Sequence, residues 1–507
     1  MGKNCVVCIN EERVKGVRSE MLYGHFLEHF HRQIYEGIFD PGNPLSDEKG
    51  FRKDIIEAMK KIKVPVMRWP GGCFVSSYHW KEGVGKERIP SFDKSWRVED
   101  PNTFGTDEFV AFCRAVGCEP YICTNAGTGT EEEMSDWMEY CNLETEGRYA
   151  KWRIANGQEK PYKVKYWSVG NENWGMHEIG AKTSEEWGNL VRESAKMLRH
   201  VDPEAELSAA ALTDVNWTMN LLQQSGQFLD WVSIHEYWDM LQQVNQPATY
   251  EECMAYTEDL ERPVNRVRGM LAALGLEKQV KIAFDEWNLR GWHHPNIHTV
   301  KQGVTKEEYL LPRDKNDDNS TYTMADAVFS ACFLNTMNRN CDIVGMANFA
   351  PIVNTRGCIY SYDGGIVLRT TYHVFDLYVN YLGDTVIDLW EKESGGCMKV
   401  KHKNGTEMEV ETLDLLATKW SDKEGLALSA VNKHASESKT VTLDFDYGDA
   451  EVIQYSLNGT SPDSYNDVDR TEVQIEKTEL GEYFRGKEIV VGPHSVNIIQ
   501  ILPKTSK

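Results

Sequence analysis

Apolar positions along the first three quarters of the chain follow two alternating rhythms. Short continuous apolar runs at residues 21–27, 64–69, 119–124, 164–169, 206–211, 231–235, 280–285 and 343–349 read as buried strands. Between them lie longer stretches with apolar residues on one helical face: 53–62, 106–116, 131–142, 184–201, 219–224, 250–274, 325–338 and 373–382. In the first of these, Ile55, Ile56, Met59 and Ile62 make the stripe. Thr183-Ser184-Glu185-Glu186 supplies a capping box for the fourth. Strand followed by helix, eight times, predicts an α/β fold of the (β/α)8 TIM-barrel type.

Beyond residue 382 the rhythm changes to a period of two. Val441, Leu443 and Phe445 alternate with Thr442, Asp444 and Asp446, and turn clusters such as Asn458-Gly459-Thr460 separate the strands. This predicts a C-terminal all-β sandwich, jelly-roll-like, to which the helix-free N-terminal segment adds a strand. The expected domains are therefore 17–382 for the barrel and 1–16 plus 383–507 for the β-sandwich. Residues 291–320 form a long polar stretch with His293, His294 and His298. It reads as a mobile lid, because HHxxxH without an interleaved carboxylate is a poor metal motif.

Composition narrows the function. The 507 residues carry a net charge of −23, which argues against nucleic acid and anionic membranes as partners. No apolar run is long enough for a transmembrane helix. The N-terminus lacks a secretory pattern, and 12 Cys at irregular spacings suit a reduced compartment, so the expected location is cytoplasmic. The 15 Trp and 22 Tyr offer flat faces suited to sugars, or simply to a core.

In a barrel of this type chemistry sits at the C-terminal ends of the strands. Those ends carry Glu28 and His29, then Arg68 to Cys73, then Asn125, Asn171 and Glu172, His235 to Tyr237, Asp285 and Glu286, and Asn348. Glu172 and Glu286 should face each other across the mouth. Two facing carboxylates suit glycoside hydrolysis, one donating a proton to the leaving oxygen and the other attacking or activating water. Arg68 is placed to hold the nucleophile ionised, Tyr237 to orient it and Asn171 to bind a sugar hydroxyl. Trp69, Trp80, Trp96, Trp174 and Trp287 are candidate stacking surfaces or core.

The motifs RWPGG at 68–72, GNEN at 170–173 and FDEWN at 284–288 make the chain similar to glycoside hydrolase family 51, the α-L-arabinofuranosidases. The resemblance runs nearly end to end. It implies a retaining mechanism with Glu172 as general acid/base and Glu286 as nucleophile. It also implies that Glu28, Asn171 and Tyr237 hold the arabinose ring or the nucleophile, with Cys73 in the matching strand-two loop; Arg68, Trp96 and His235 complete the candidate substrate-binding set. No metal or cofactor is implied, and a homohexamer is. The expected substrate is an arabinofuranosyl oligosaccharide cleaved from its non-reducing end. Two departures bear on substrate choice. Ala350-Pro351 stands where relatives carry Ala-Gln, and Arg290 where several carry a Trp that walls the subsite, with Trp292 as a substitute. An endo-β-glucanase or β-xylosidase with the same two Glu, a silent sugar-binding protein and a metal-dependent isomerase are the rival readings.

Overall fold

The structure is a computed structural model that describes residues 4–241, 246–291, 305, 315–401 and 405–504. Eight parallel strands close into a barrel: β1 (Gly24–Phe26), β2 (Val66–Trp69), β3 (Glu119–Thr124), β4 (Tyr166–Val169), β5 (Glu206–Ala210), β6 (Trp231–Met240), β7 (Lys281–Gly291) and β8 (Val344–Phe349). Each pairs with its neighbours in sequence, and β8 closes on β1. All eight fall on the apolar runs read from the sequence.

The helices follow the same agreement, except that Arg148–Ala155 forms a helix the apolar pattern does not predict and one expected helix is broken in two. Helix α1 (Ser184–Val201) opens with the expected box: the Glu186 amide donates to Thr183 Oγ1 at 3.3 Å, and the Thr183 amide to Glu186 Oε2 at 2.8 Å. Such a cap contributes about 1 kcal/mol. The stretch 250–274 is two helices rather than one, Tyr250–Ala255 and Glu261–Leu274, joined by a 3-10 turn. Pro263 explains the break. It lacks the amide that a continuous helix would need at that point, and it is tolerated in the first turn of the second helix.

Strands β6 and β7 run well beyond the predicted ends. They continue as a paired ribbon in which Glu286 faces His235, Asn288 faces Tyr237 and Gly291 faces Met240. One extra residue enters β7: Ala283 pairs with Ser233, and the next pair is Glu286 with His235. A bulge of this kind turns a strand so that neighbouring side chains no longer alternate cleanly between faces. Both Asp285 and Glu286 consequently reach Arg68 inside the barrel mouth.

Among the described residues, nine further strands make one hydrogen-bonded sheet, and three short two-stranded ribbons lie apart from it. The strands of the sheet are β9 (Thr385–Glu393), β10 (Leu413–Lys419), β11 (Leu426–Asn432), β12 (Lys439–Leu443), β13 (Ala450–Asn458), β14 (Gln474–Glu482), β15 (Lys487–Val491) and β16 (Ser495–Pro503), with the N-terminal strand Asn4–Val17 between β9 and β12. The two halves meet through the short pairing of Thr385 with Lys419 and Val386 with Thr418. The sheet folds over at this corner, as sandwiches do. Cys5, Val7, Leu428, Val441, Val452, Ile489 and Ile499 share one core between the layers.

The outer face of β11 and β16 packs on the barrel. Ala427, Val431, Val496 and Ile498 join the barrel's core, next to helices α2 (Met324–Arg339) and α3 (Thr370–Tyr381). Tyr378 donates to Ala331 O at 2.9 Å and lies 3.0 Å from Ser429 Oγ, and Tyr381 stacks on Tyr455 at 3.9 Å. No helix among the described residues is long and apolar enough to cross a membrane.

Candidate active site

Four elements build the barrel mouth. On β2, Arg68 points inward and is wholly buried. Its Nη1 donates to Glu286 Oε2 at 2.9 Å and its Nη2 to Asn171 Oδ1 at 2.8 Å, while Nε lies 3.4 Å from Asp285 Oδ2. One permanent cation therefore ties β2, the β4 loop and β7 together. Removing one member of such a buried set costs roughly 3–5 kcal/mol.

On the ribbon, Ser233, His235 and Tyr237 share a face because a strand repeats every second residue. Tyr237 donates its hydroxyl to Glu286 Oε1 at 2.6 Å. With Arg68 on Oε2, each oxygen of Glu286 has its own partner. His235 Nδ1 lies 2.9 Å from Glu172 Oε1 and 3.5 Å from Glu286 Oε2, and Nε2 lies 3.3 Å from Asp285 Oδ1. Burial disfavours a charged ring, but Glu286, Asp285 and Glu172 outweigh it and push His235 up to about 10. Asp285 is itself held below the usual carboxylate range despite its burial, by Arg68, His235 and Ser233.

Glu172 follows β4 on a tight turn. Gly170 has φ +69, and a Cβ there would meet Asn173 Oδ1 at 2.1 Å. Glu172 itself has φ +46, a left-handed conformation that costs of order 1–3 kcal/mol in a residue with a side chain. The turn is tied by the Asn171 amide donating to Asn173 Oδ1 at 3.0 Å. Glu172 Oε2 is 2.8 Å from His177 Nε2. Burial would raise its pKa, but the two imidazoles hold it well below the usual carboxylate range.

The opposite wall comes from β1 and the β2 loop. Glu28 Oε1 accepts from the Phe74 amide at 3.1 Å and from Trp96 Nε1 at 3.0 Å. Burial and the charge of Glu286 push it up to about 8, which favours its neutral form. Gly71 has φ +143, and a Cβ there would strike Glu28 Cγ at 2.3 Å. A Cβ on Gly72 would stand 3.4 Å from Glu286 Oε2, so the missing side chain leaves room for a ligand beside the carboxylate. Cys73 is buried among Glu178, Glu172 and Glu28, and burial with these charges keeps its thiol neutral.

Several expected rim residues do other work. Trp69, Trp80 and Trp287 are core: Trp69 stacks on Phe109 at 4.8 Å, Trp80 on Trp137 at 6.1 Å and Trp287 on Phe333 at 3.7 Å. Trp96 and the half-buried Trp174 remain beside the carboxylates. His29 pairs with Asp100 at 2.7 Å, Asn125 ties down its own loop, and Asn348 donates to His25 O at 2.8 Å. Arg290 does not face the mouth. It is buried between Asp239, at 2.6 Å, and Asp326, at 2.9 Å. Trp292, His293, His294 and His298 lie outside the described residues.

Three residues not singled out from the sequence also belong here: His177, Arg356 and Glu178. The Asn171 amide group donates to Glu178 at 3.3 Å, and burial pushes Glu178 up to about 7. Two groupings bring ligand atoms within 4.8 Å of one another, Cys73 with Glu172, His177 and Glu178, and Glu172 with His235 and Glu286. A cation in either would compete for the Glu172 carboxylate that the imidazoles already bind.

Comparison with known proteins decides the family. The profile described as "Alpha-L-arabinofuranosidase 1 domain" matches residues 58–255, and that described as "Alpha-L-arabinofuranosidase C-terminal domain" matches 285–495. Alpha-L-arabinofuranosidase C of Emericella nidulans is 34% identical, over 93% of each chain. The chain belongs to the α-L-arabinofuranosidases of glycoside hydrolase family 51. Its similarity to the intracellular exo-alpha-(1->5)-L-arabinofuranosidase of Halalkalibacterium halodurans is 31% identity over 85% of each chain. The arabinose complex of the Thermotoga maritima alpha-L-arabinofuranosidase superposes with a TM-score of 0.87 at 31% identity, covering 98% of this chain and all of the other. This family-51 glycosidase thus has the barrel and the C-terminal β domain that its motifs implied.

Proposed function

We propose that this arabinofuranosidase removes terminal arabinofuranosyl units from short oligosaccharides by double displacement, with Glu286 as nucleophile and Glu172 as acid/base. The observation that carries the mechanism is the spacing of the carboxylates: an oxygen of each lies within 4.8 Å of the other. That separation suits direct attack, whereas inversion needs a gap of about 6.5–9.5 Å for a water. In the first step Glu286 forms a bond to the anomeric carbon as the glycosidic bond breaks, and Glu172 delivers its proton to the leaving oxygen. The proton comes from the Glu172–His235–His177 cluster, which titrates as a unit. In the second step Glu172 takes a proton from water, and the water oxygen replaces Glu286 at carbon. Arg68 and Tyr237 hold the nucleophile, and neutral Glu28 donates to a sugar hydroxyl.

Exo action and an intracellular location are supported by the likeness to the H. halodurans enzyme of that description. Assembly as a hexamer rests on the family resemblance alone, and light scattering of the purified protein tests it. The activity is tested with aryl α-L-arabinofuranoside, aryl β-xyloside and β-glucan side by side, following the product anomer by NMR. Preferred turnover of the first with retained configuration is expected. Activity on either of the others without the first, or an inverted product, overturns this reading.

A further inference from the structure

The proton transfer and nucleophilic attack leave one buried cation of the mouth without a task. Arg356 lies in the loop after β8 and is 8% exposed. Its Nε and Nη1 are buried without a hydrogen-bond partner. A guanidinium presents its donors in a fixed fork, and leaving them unmatched away from water is costly.

The backbone that holds it is itself strained. Asn354 and Thr355, immediately before it, have φ +56 and +45. Consecutive left-handed residues with side chains persist only where the surroundings enforce them. Here Asn354 Nδ2 donates to Arg32 O at 2.6 Å, the Thr355 amide donates to Asp317 Oδ1 at 2.6 Å, and Asn288 Nδ2 donates to Arg356 O at 3.1 Å. The last contact couples the loop to the strand that carries Glu286.

The guanidinium lies 5.2 Å from the centre of the Tyr237 ring and hydrogen-bonds the Tyr237 side chain, which leaves Nε and Nη1 unmatched, and its charge acts on both Glu28 and Glu286. Pro351, on the same loop, has no polar side chain to offer a ligand. We propose that Arg356 is a substrate-binding residue whose fork donates to hydroxyl oxygens of the bound arabinofuranosyl ring, completing the wall between Glu28 and the nucleophile. A neutral polyol suits the position, because Glu286 stands close enough to repel an anionic substituent. The assignment rests on the arabinofuranosidase reading of the site. The alternative is that Arg356 only positions Tyr237 through its ring and side-chain hydrogen bond.

Arg356→Met and Arg356→Lys separate the two. Each is measured for KM, for kcat and for competitive inhibition by free arabinose, with thermal unfolding as the check on fold. Arg356→Met is expected to raise KM and the arabinose inhibition constant by about tenfold or more, with a smaller change in kcat, and Lys to recover part of the loss. An unchanged inhibition constant with a fall in kcat would make Arg356 a positioning residue, and no change in either would make it structural. Both results overturn the proposal. If Met does not fold, Arg356→Lys and Arg356→Gln decide by the same readout. The wild-type protein is run on aryl β-xyloside in parallel. A preference for the xyloside would show the failure of the activity reading itself, and Arg356 is then judged by the ratio of variant to wild-type KM on that substrate.

Discussion

The two carboxylates proposed for the double displacement are mounted in opposite ways. Glu286 stands on a strand ribbon, 8% exposed, with one oxygen on a permanent cation and the other on a phenol hydroxyl. Glu172 stands on a strained turn, and both of its oxygens face imidazoles, which the surrounding carboxylates favour in their protonated form. The first arrangement fixes a charge and a direction of attack. The second keeps a proton close and lets it move. A double displacement needs that asymmetry, because one carboxylate forms a bond to carbon while the other gives and then takes a proton.

The largest break in the comparison comes from Glu286→Ala. Its kcat is expected to fall about 10⁵-fold on every substrate, whatever the leaving group, as when a nucleophile is removed. A loss of less than a hundredfold in steady-state rates would show that the strand side is not the attacking side. Glu172→Ala should be milder and selective. Substrates with poor leaving groups lose roughly 10²–10⁴-fold, dinitrophenyl glycosides much less, and azide restores turnover by taking the place of the activated water. Equal losses on good and poor leaving groups would contradict the acid role.

The smallest effect sharpens the acid side. His177 helps hold Glu172 below the usual range, so removing it favours the protonated form. For His177→Gln the alkaline limb of kcat/KM, which reports loss of the donated proton, should therefore move to higher pH, by roughly one unit. A shift to lower pH would mean that His177 favours the protonated form of Glu172 instead of opposing it.

Much of this was legible along the chain, for a physical reason. A barrel strand is buried on both sides and so appears as an unbroken apolar run, and the polar residue that ends it marks the mouth. Glu28, Arg68, Asn171, Glu172, His235, Tyr237 and Glu286 all occupy such ends or lie a few residues beyond. What sequence pattern could not show was non-local. The ribbon beyond His235 and Asp285 exists because two distant segments pair, and the bulge that aims both Asp285 and Glu286 inward depends on that pairing.

Charge misleads in the same way. Arg290 looks like a rim residue until Asp239 and Asp326, from two other elements, close around it. Trp69 and Trp287 look like sugar platforms until Phe109 and Phe333 cover them. Arg356 gave no local signal. Its interest comes from two buried nitrogens without a hydrogen-bond partner, which no reading of neighbours along the chain supplies.

The asymmetry between the two carboxylates is tested most directly by trapping the intermediate. Glu172→Ala is mixed with dinitrophenyl α-L-arabinofuranoside, quenched early, and analysed by intact mass and peptide mapping. A single arabinofuranosyl unit bound as an ester to Glu286 is the predicted result. A chain that stays unlabelled through a burst of dinitrophenol, or a label on any other residue, would contradict it.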